Sequence, residues 1–160
     1  MLKLHRNHSG QASLEMLFVL PILFMIFTFI YESGFLLYDW AVINYNTSTT
    51  AVRAATTGQF TNQIRLSLAQ NMHDWSVVGK NLTYDVSGIG PPGATDNTTA
   101  YIYGTDEGTP VQRGQYIFVN VDYPWHFRFF ALDALASWVI DEKNMRLHVN
   151  AAFPSEVFFE

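Results

Sequence analysis

The sequence predicts an α+β fold: a long N-terminal transmembrane helix that extends into a small domain with a second helix and an antiparallel sheet. Three observations carry this. From Met16 to Tyr31 no residue is charged. Residues 35–57 continue as a helix, with no glycine or proline before Gly58. From Lys80 on, short alternating runs are separated by Gly- and Pro-rich stretches, as strands and loops are. The expected organisation is a cytoplasmic leader at 1–10, a transmembrane helix at 11–43 and an extracytoplasmic α+β domain at 44–160.

The apolar run from Met16 to Tyr31 is slightly short of the roughly 20 residues a span needs. Phe35, Leu36 and Leu37, beyond Glu32, complete it. Lys3 and Arg6 precede the run and acidic residues follow it, so the positive-inside rule places residues 1–10 in the cytoplasm and the rest outside. A secretory signal would need a small-residue cleavage site after the run. The sequence there is Tyr31-Glu32-Ser33-Gly34-Phe35. A plain anchor fits the hydropathy but leaves Gly10, Gln11 and Glu15 unexplained. A cut between Gly10 and Gln11 would keep the helix in the mature chain, with Glu15 as its fifth residue. A carboxylate near a bilayer centre costs roughly 2.5–3.5 kcal/mol on insertion scales. The simplest account of Glu15 is a headgroup-level position at a helix N-terminus, where negative charge is favoured.

The stretch "SGQASLE" before a long apolar helix resembles a type IV pilin-like leader, which a membrane aspartic peptidase cuts after glycine. The wider pattern resembles the TadE-like family of tight-adherence (Flp-type) pilus pseudopilins. Its elements here are Gly10, Glu15, Pro21, Glu32 with Gly34, and the small-residue stretch from Ala51 to Gly58 around Arg53. Ser33 separates Glu32 from Gly34 where the family often has an aromatic. The closing "GQYIFVNVDYP…MRLHVNAAFPSE" is similar to that family's last strands. The resemblance implies processing at Gly10–Gln11 by a prepilin peptidase. It also implies pairing of Glu15 with the new N-terminal amine of a neighbouring subunit. Such a buried ion pair sets register between helices more than it adds stability. The implied partners are the peptidase, other pseudopilins, the major pilin, the assembly platform and membrane lipid. The implied location is a single-pass inner or plasma membrane protein, with a place in the pilus also open.

The remaining elements follow in order. Phe35, Tyr38 and Trp40 fall where the helix should leave the membrane, as interfacial aromatics do. The Thr-rich stretch after Asn44 is intrinsically weak helix and needs packing to hold it. Gly58 is a C-cap candidate, and Thr61 caps a second helix with Ile64, Leu68, Met72 and Trp75 on one face. "NLTYDVS", "AYIYG", "GQYIFVNVDY" and "MRLHVNAAF" read as strands, with a loop at 88–99. Residues 124–140, "PWHFRFFALDALASWVI", place Phe129, Leu132, Leu135, Ala136 and Val139 on one helical face. They read either as core or as an interfacial segment laid on the outer leaflet or a partner.

Charged residues are 14% and apolar residues 49% of the chain. That is too few charges for an ordinary soluble surface, so apolar surface should face lipid or a partner. The net charge of −5 argues against nucleic acid. There is no cysteine, which removes disulfides and thiolate chemistry. Gly88, Gly90 and Gly93 spell GxGxxG, but two prolines follow Gly90 and no amphipathic helix follows Gly93. His73 beside Asp74 has no second histidine at ligand spacing, and His126 and His148 are isolated. Sequons at Asn46, Asn81 and Asn97 are weak signals in an Asn- and Thr-rich chain. No catalytic, cofactor or metal site is expected. The sequence reads as a structural pilus subunit rather than an enzyme, the alternative being a permanently anchored extracytoplasmic binding domain.

Overall fold

The computed structural model describes residues 8–92, 97–106, 108–129 and 145–158, with side chains from Leu14 onward. Helix α1 spans His8–Thr57, and α2 spans Asn62–Trp75. A 3₁₀ turn at Gly79–Asn81 leads into strands β1 (Thr83–Gly88), β2 (Thr99–Gly104), β3 (Tyr116–Pro124) and β4 (Arg146–Pro154). The fold is α+β, as the sequence predicts. The sheet is mixed rather than wholly antiparallel. Its order is β1-β2-β3-β4, with β1 parallel to β2 and the other two pairs antiparallel. Hydrophobic alternation marks a strand but not its direction. The long loop after Gly88 is enough connection for the chain to return and start β2 alongside β1 in the same sense.

α1 is one unbroken helix, with Pro21 inside it. Its polar second half stays helical for two reasons. Side chains return hydrogen bonds to their own helix: Asn46 Nδ2 donates to the Val42 carbonyl at 2.9 Å, and Thr49 Oγ1 to Tyr45 at 3.0 Å. One face also packs against the domain, burying Ile43, Thr47, Ala51 and Ala54. Packing thus supplies what Thr propensity withholds. The helix stops at Gly58, whose φ of 71° suits glycine. The Gln59 N–H then reaches the Ala54 carbonyl at 3.2 Å, the long bond of a Schellman cap.

Thr61 caps α2, its hydroxyl accepting from the Ile64 N–H at 3.4 Å. Ile64, Leu68 and Met72 are buried as the periodicity requires. Trp75 is not: it is 66% exposed. It closes the last turn, and the chain leaves the helix at Ser76 in extended conformation. The core lies between α1, α2 and one face of the sheet, with Ile117, Val119, Val121 and Tyr123 projecting from β3. Tyr116 and Phe118 stand on the opposite, exposed face. Arg65 of α2 is buried beneath β1 and β2, its guanidinium 4.8 Å from the Phe60 ring and donating to the Thr105 carbonyl at 3.1 Å.

Candidate functional site

The molecule is asymmetric along α1. From Leu14 to Phe27 the apolar side chains are exposed all round the helix. A helix apolar on every face is built for lipid or for the interior of an assembly. Leu14–Thr57 is long and apolar enough to cross a membrane. From Thr28 onward one face is covered by the domain. The residues on that face begin with Thr28, Glu32, Asp39 and Ile43, all buried.

Two of those residues are carboxylates placed seven apart, so they share a face two turns from each other. Glu32 is 1% exposed, and its Oε1 accepts from the backbone N–H of Arg128. The Arg128 guanidinium lies over the Phe35 ring at 5.3 Å from its centroid. Phe129 meets Tyr31 edge-on at 6.4 Å. Asp39 is fully buried, and its Oδ1 accepts from the Val77 N–H at 2.6 Å. Among the described residues, the second oxygen of each carboxylate is buried with no hydrogen-bond partner. Glu32 therefore ties the helix to the segment after β3, and Asp39 ties it to the turn after α2. Beside Asp39, the Ser76 hydroxyl bonds the Met72 carbonyl and the Tyr123 hydroxyl, each at 2.6 Å. Burial pushes the Tyr123 phenol well up and the Tyr84 phenol up to about 12, so both stay neutral hydrogen-bonding groups.

Where the apolar half meets the domain, an apolar groove of about 660 Å³ opens along α1 between Tyr31, Gly34, Tyr38 and the α2 end at Trp75 and Val77. A second groove of about 490 Å³ continues past Tyr38 to Ala41 and Tyr45, again with Trp75 as a wall. The exposure of Trp75 thus gives the grooves their common side.

Glu15 is exposed in the first turns of the apolar half. Gly10 and Gln11 lie within the helical backbone of α1, and their side chains are outside the described residues. The structure does not bring these three to the carboxylates of the junction. Glu32 entered the sequence reading as a family element and Asp39 only as a charge. Their docking role was missed, although two acids seven apart in an apolar helix was the available signal. Gly88 is accounted for by packing: a Cβ there would stand 2.4 Å from Arg65 Nη1. His73 is exposed and sits 3.0 Å from Asp74, and its hydrogen bond, with that of Gln70, holds the Asp74 carboxyl below its usual range. His148 Nδ1 is 3.3 Å from Asp122. Among the described residues no three potential metal ligands cluster. Of the 124–140 segment, the part after Phe129 lies outside the described residues.

Compared with known families, residues 10–56 match the model described as TadE-like protein. The similarity to that family lies in the N-terminal segment alone. No curated protein and no solved structure matches the chain. The match runs from Gly10 to Thr56, within α1, and leaves α2 and the sheet outside it.

Proposed function

We propose that this chain is a pseudopilin of a tight-adherence-type pilus or a related secretion filament. A prepilin peptidase cuts it between Gly10 and Gln11, and α1 is then its means of insertion and assembly. The observation that carries the reading is the division of α1: an apolar half exposed all round, joined without a break to a half clasped by the domain. A signal sequence destined for removal has no reason to be continuous with a helix on which the domain is built. Residues 1–10 lie in the cytoplasm and the domain outside, by the charge asymmetry. The partners are the peptidase, other pseudopilins, the major pilin and the assembly platform, with lipid around α1 beforehand.

In this reading Glu15 receives the amine of Gln11 from a neighbouring subunit. In low dielectric such a pair is strongly directed, and it fixes the stagger of one helix on the next. Replacing Glu15 by Val tests this in cells carrying the rest of the pilus machinery. The variant is expected to insert and be cleaved like wild type, yet be absent from sheared filaments and pulled-down assemblies. Normal incorporation, or failure at insertion, would remove the pairing role.

A further inference from the structure

A hydrocarbon core of roughly 30 Å takes about 20 residues of helix. Counted from Met16, the first residue beyond Glu15, it ends near Phe35 and Leu36. The domain closes on α1 at this same height. Glu32 accepts from the Arg128 N–H and Asp39 from the Val77 N–H, so the segment after β3 and the turn after α2 form the membrane-proximal end of the domain. The rings at this end, Tyr31, Phe35, Tyr38, Trp75, Phe127 and Phe129, are exposed or half-buried. Such a face suits the headgroup level, where tyrosine and tryptophan concentrate.

Two features of this end point to a bound molecule rather than to bulk lipid. The first is the apolar groove of about 660 Å³ along α1, walled by Tyr31, Phe35, Tyr38, Trp75 and Val77. Its volume lies within the roughly 300–1,000 Å³ of ligand pockets, and it opens where the hydrocarbon span ends. The second is Arg128. It is exposed, and its guanidinium stands over Phe35, a wall of the groove, at 5.3 Å from the ring centroid. A chain of net charge −5 thus places a cation at headgroup height. The carboxylates of α1 at that height, Glu32 and Asp39, are buried and present no negative surface. Asp74, next to Trp75, is engaged by His73 and Gln70.

We propose that this junction binds a phospholipid of the outer leaflet, with its phosphate on the Arg128 guanidinium and an acyl chain in the groove beside Trp75. A guanidinium meets a phosphate with paired N–H donors, and it is weakly hydrated, so it keeps that match at the edge of the hydrocarbon. The lower wall of the groove, Ile30 and Tyr31, belongs to the apolar run of α1. An acyl chain therefore enters from the bilayer without crossing water. Tyr38 and Trp75 mark the boundary above it, where one part of each ring system is apolar and the other wet. The bound lipid seats the domain on the membrane before assembly. This inference rests on the reading of α1 as a retained membrane helix.

The full-length chain, purified from membranes that contain the peptidase, is reconstituted into vesicles of a phosphate-free glycosyl diacylglycerol. These carry a small fraction of phosphatidylglycerol brominated just below its headgroup, and tryptophan fluorescence is read. The difference between wild type and Trp75→Phe isolates the signal of Trp75. That signal should be quenched several-fold more than the mole fraction of brominated lipid accounts for. Arg128→Gln, which keeps the backbone N–H to Glu32, should cut the excess several-fold, and Arg128→Lys should restore part of it. The same bromines carried on the glycolipid should give no excess. Quenching of Trp75 in proportion to mole fraction, an undiminished excess in Arg128→Gln, or an excess abolished by inorganic phosphate would overturn the lipid site. Mass analysis of the same samples separates the two readings. An uncut chain that concentrates the phospholipid would sink the processing step alone. A cleaved chain that does not would sink the lipid site alone. Release of the chain from the vesicles by alkaline carbonate would overturn both.

Discussion

Glu32 and Asp39 each use one carboxylate oxygen on a backbone N–H, of Arg128 and Val77, and among the described residues the other oxygen of each is buried without a partner. Removing such an acceptor strands its buried donor, at about 1–3 kcal/mol. Asp39→Ala should therefore destabilise the detergent-solubilised protein by about that amount in urea unfolding. Asp39→Asn should cost less, because its amide oxygen still accepts from Val77. Equal losses would show that charge rather than the hydrogen bond matters. Tyr84 gives a pH prediction. Its folded pKa, raised by burial to about 12, stands above the ordinary tyrosine value of about 10, so the folded state binds the proton more tightly and stability falls as pH rises from about 10 towards 12. Tyr123 shifts in the same direction. Unfolding midpoints should be flat up to pH 9 and then decline, and Tyr84→Phe should flatten the first part of that decline.

Within α1, Gly34 gives a stability prediction. A Cβ at Gly34 would meet nothing within 4 Å among the described residues, so Gly34→Ala should raise subunit stability by about 0.5–1 kcal/mol. Thermal unfolding of the detergent-solubilised variant checks this, and a midpoint below that of wild type would contradict it. α1 was also the most legible element in the sequence. Its apolar run, its aromatics at Tyr38 and Trp40, and its stop at Gly58 are local signals. The face that the domain covers was not legible, because Thr47, Thr50, Ala51 and Ala54 are too small and polar to announce burial. In α2 the four-residue spacing correctly marked Ile64, Leu68 and Met72. It carried Trp75 along because periodicity does not register that the chain leaves the helix at Ser76, directly after it.

At the scale of the molecule, the strands were visible as alternation in "YIFVNVDY" and its neighbours, while the parallel pairing of β1 with β2 was not. Pairing direction is settled by where the loop after Gly88 delivers the chain, a tertiary matter. The junction was likewise hidden, since it joins Glu32 to Arg128 and Asp39 to Val77 across long stretches of sequence. The sites proposed from resemblance, Gly10, Gln11 and Glu15, depend on an encounter with a peptidase and a neighbour that no single subunit displays. The central claim is that α1 is a retained helix whose leader has been cut away. It is tested most directly by the N-terminal residue and intact mass of protein purified from membranes that contain the peptidase. The account predicts a chain beginning at Gln11 and lacking residues 1–10, and an uncut chain when Gly10 is replaced by Val. An intact Met1 in wild type, or the same trimming in Gly10→Val, would contradict it.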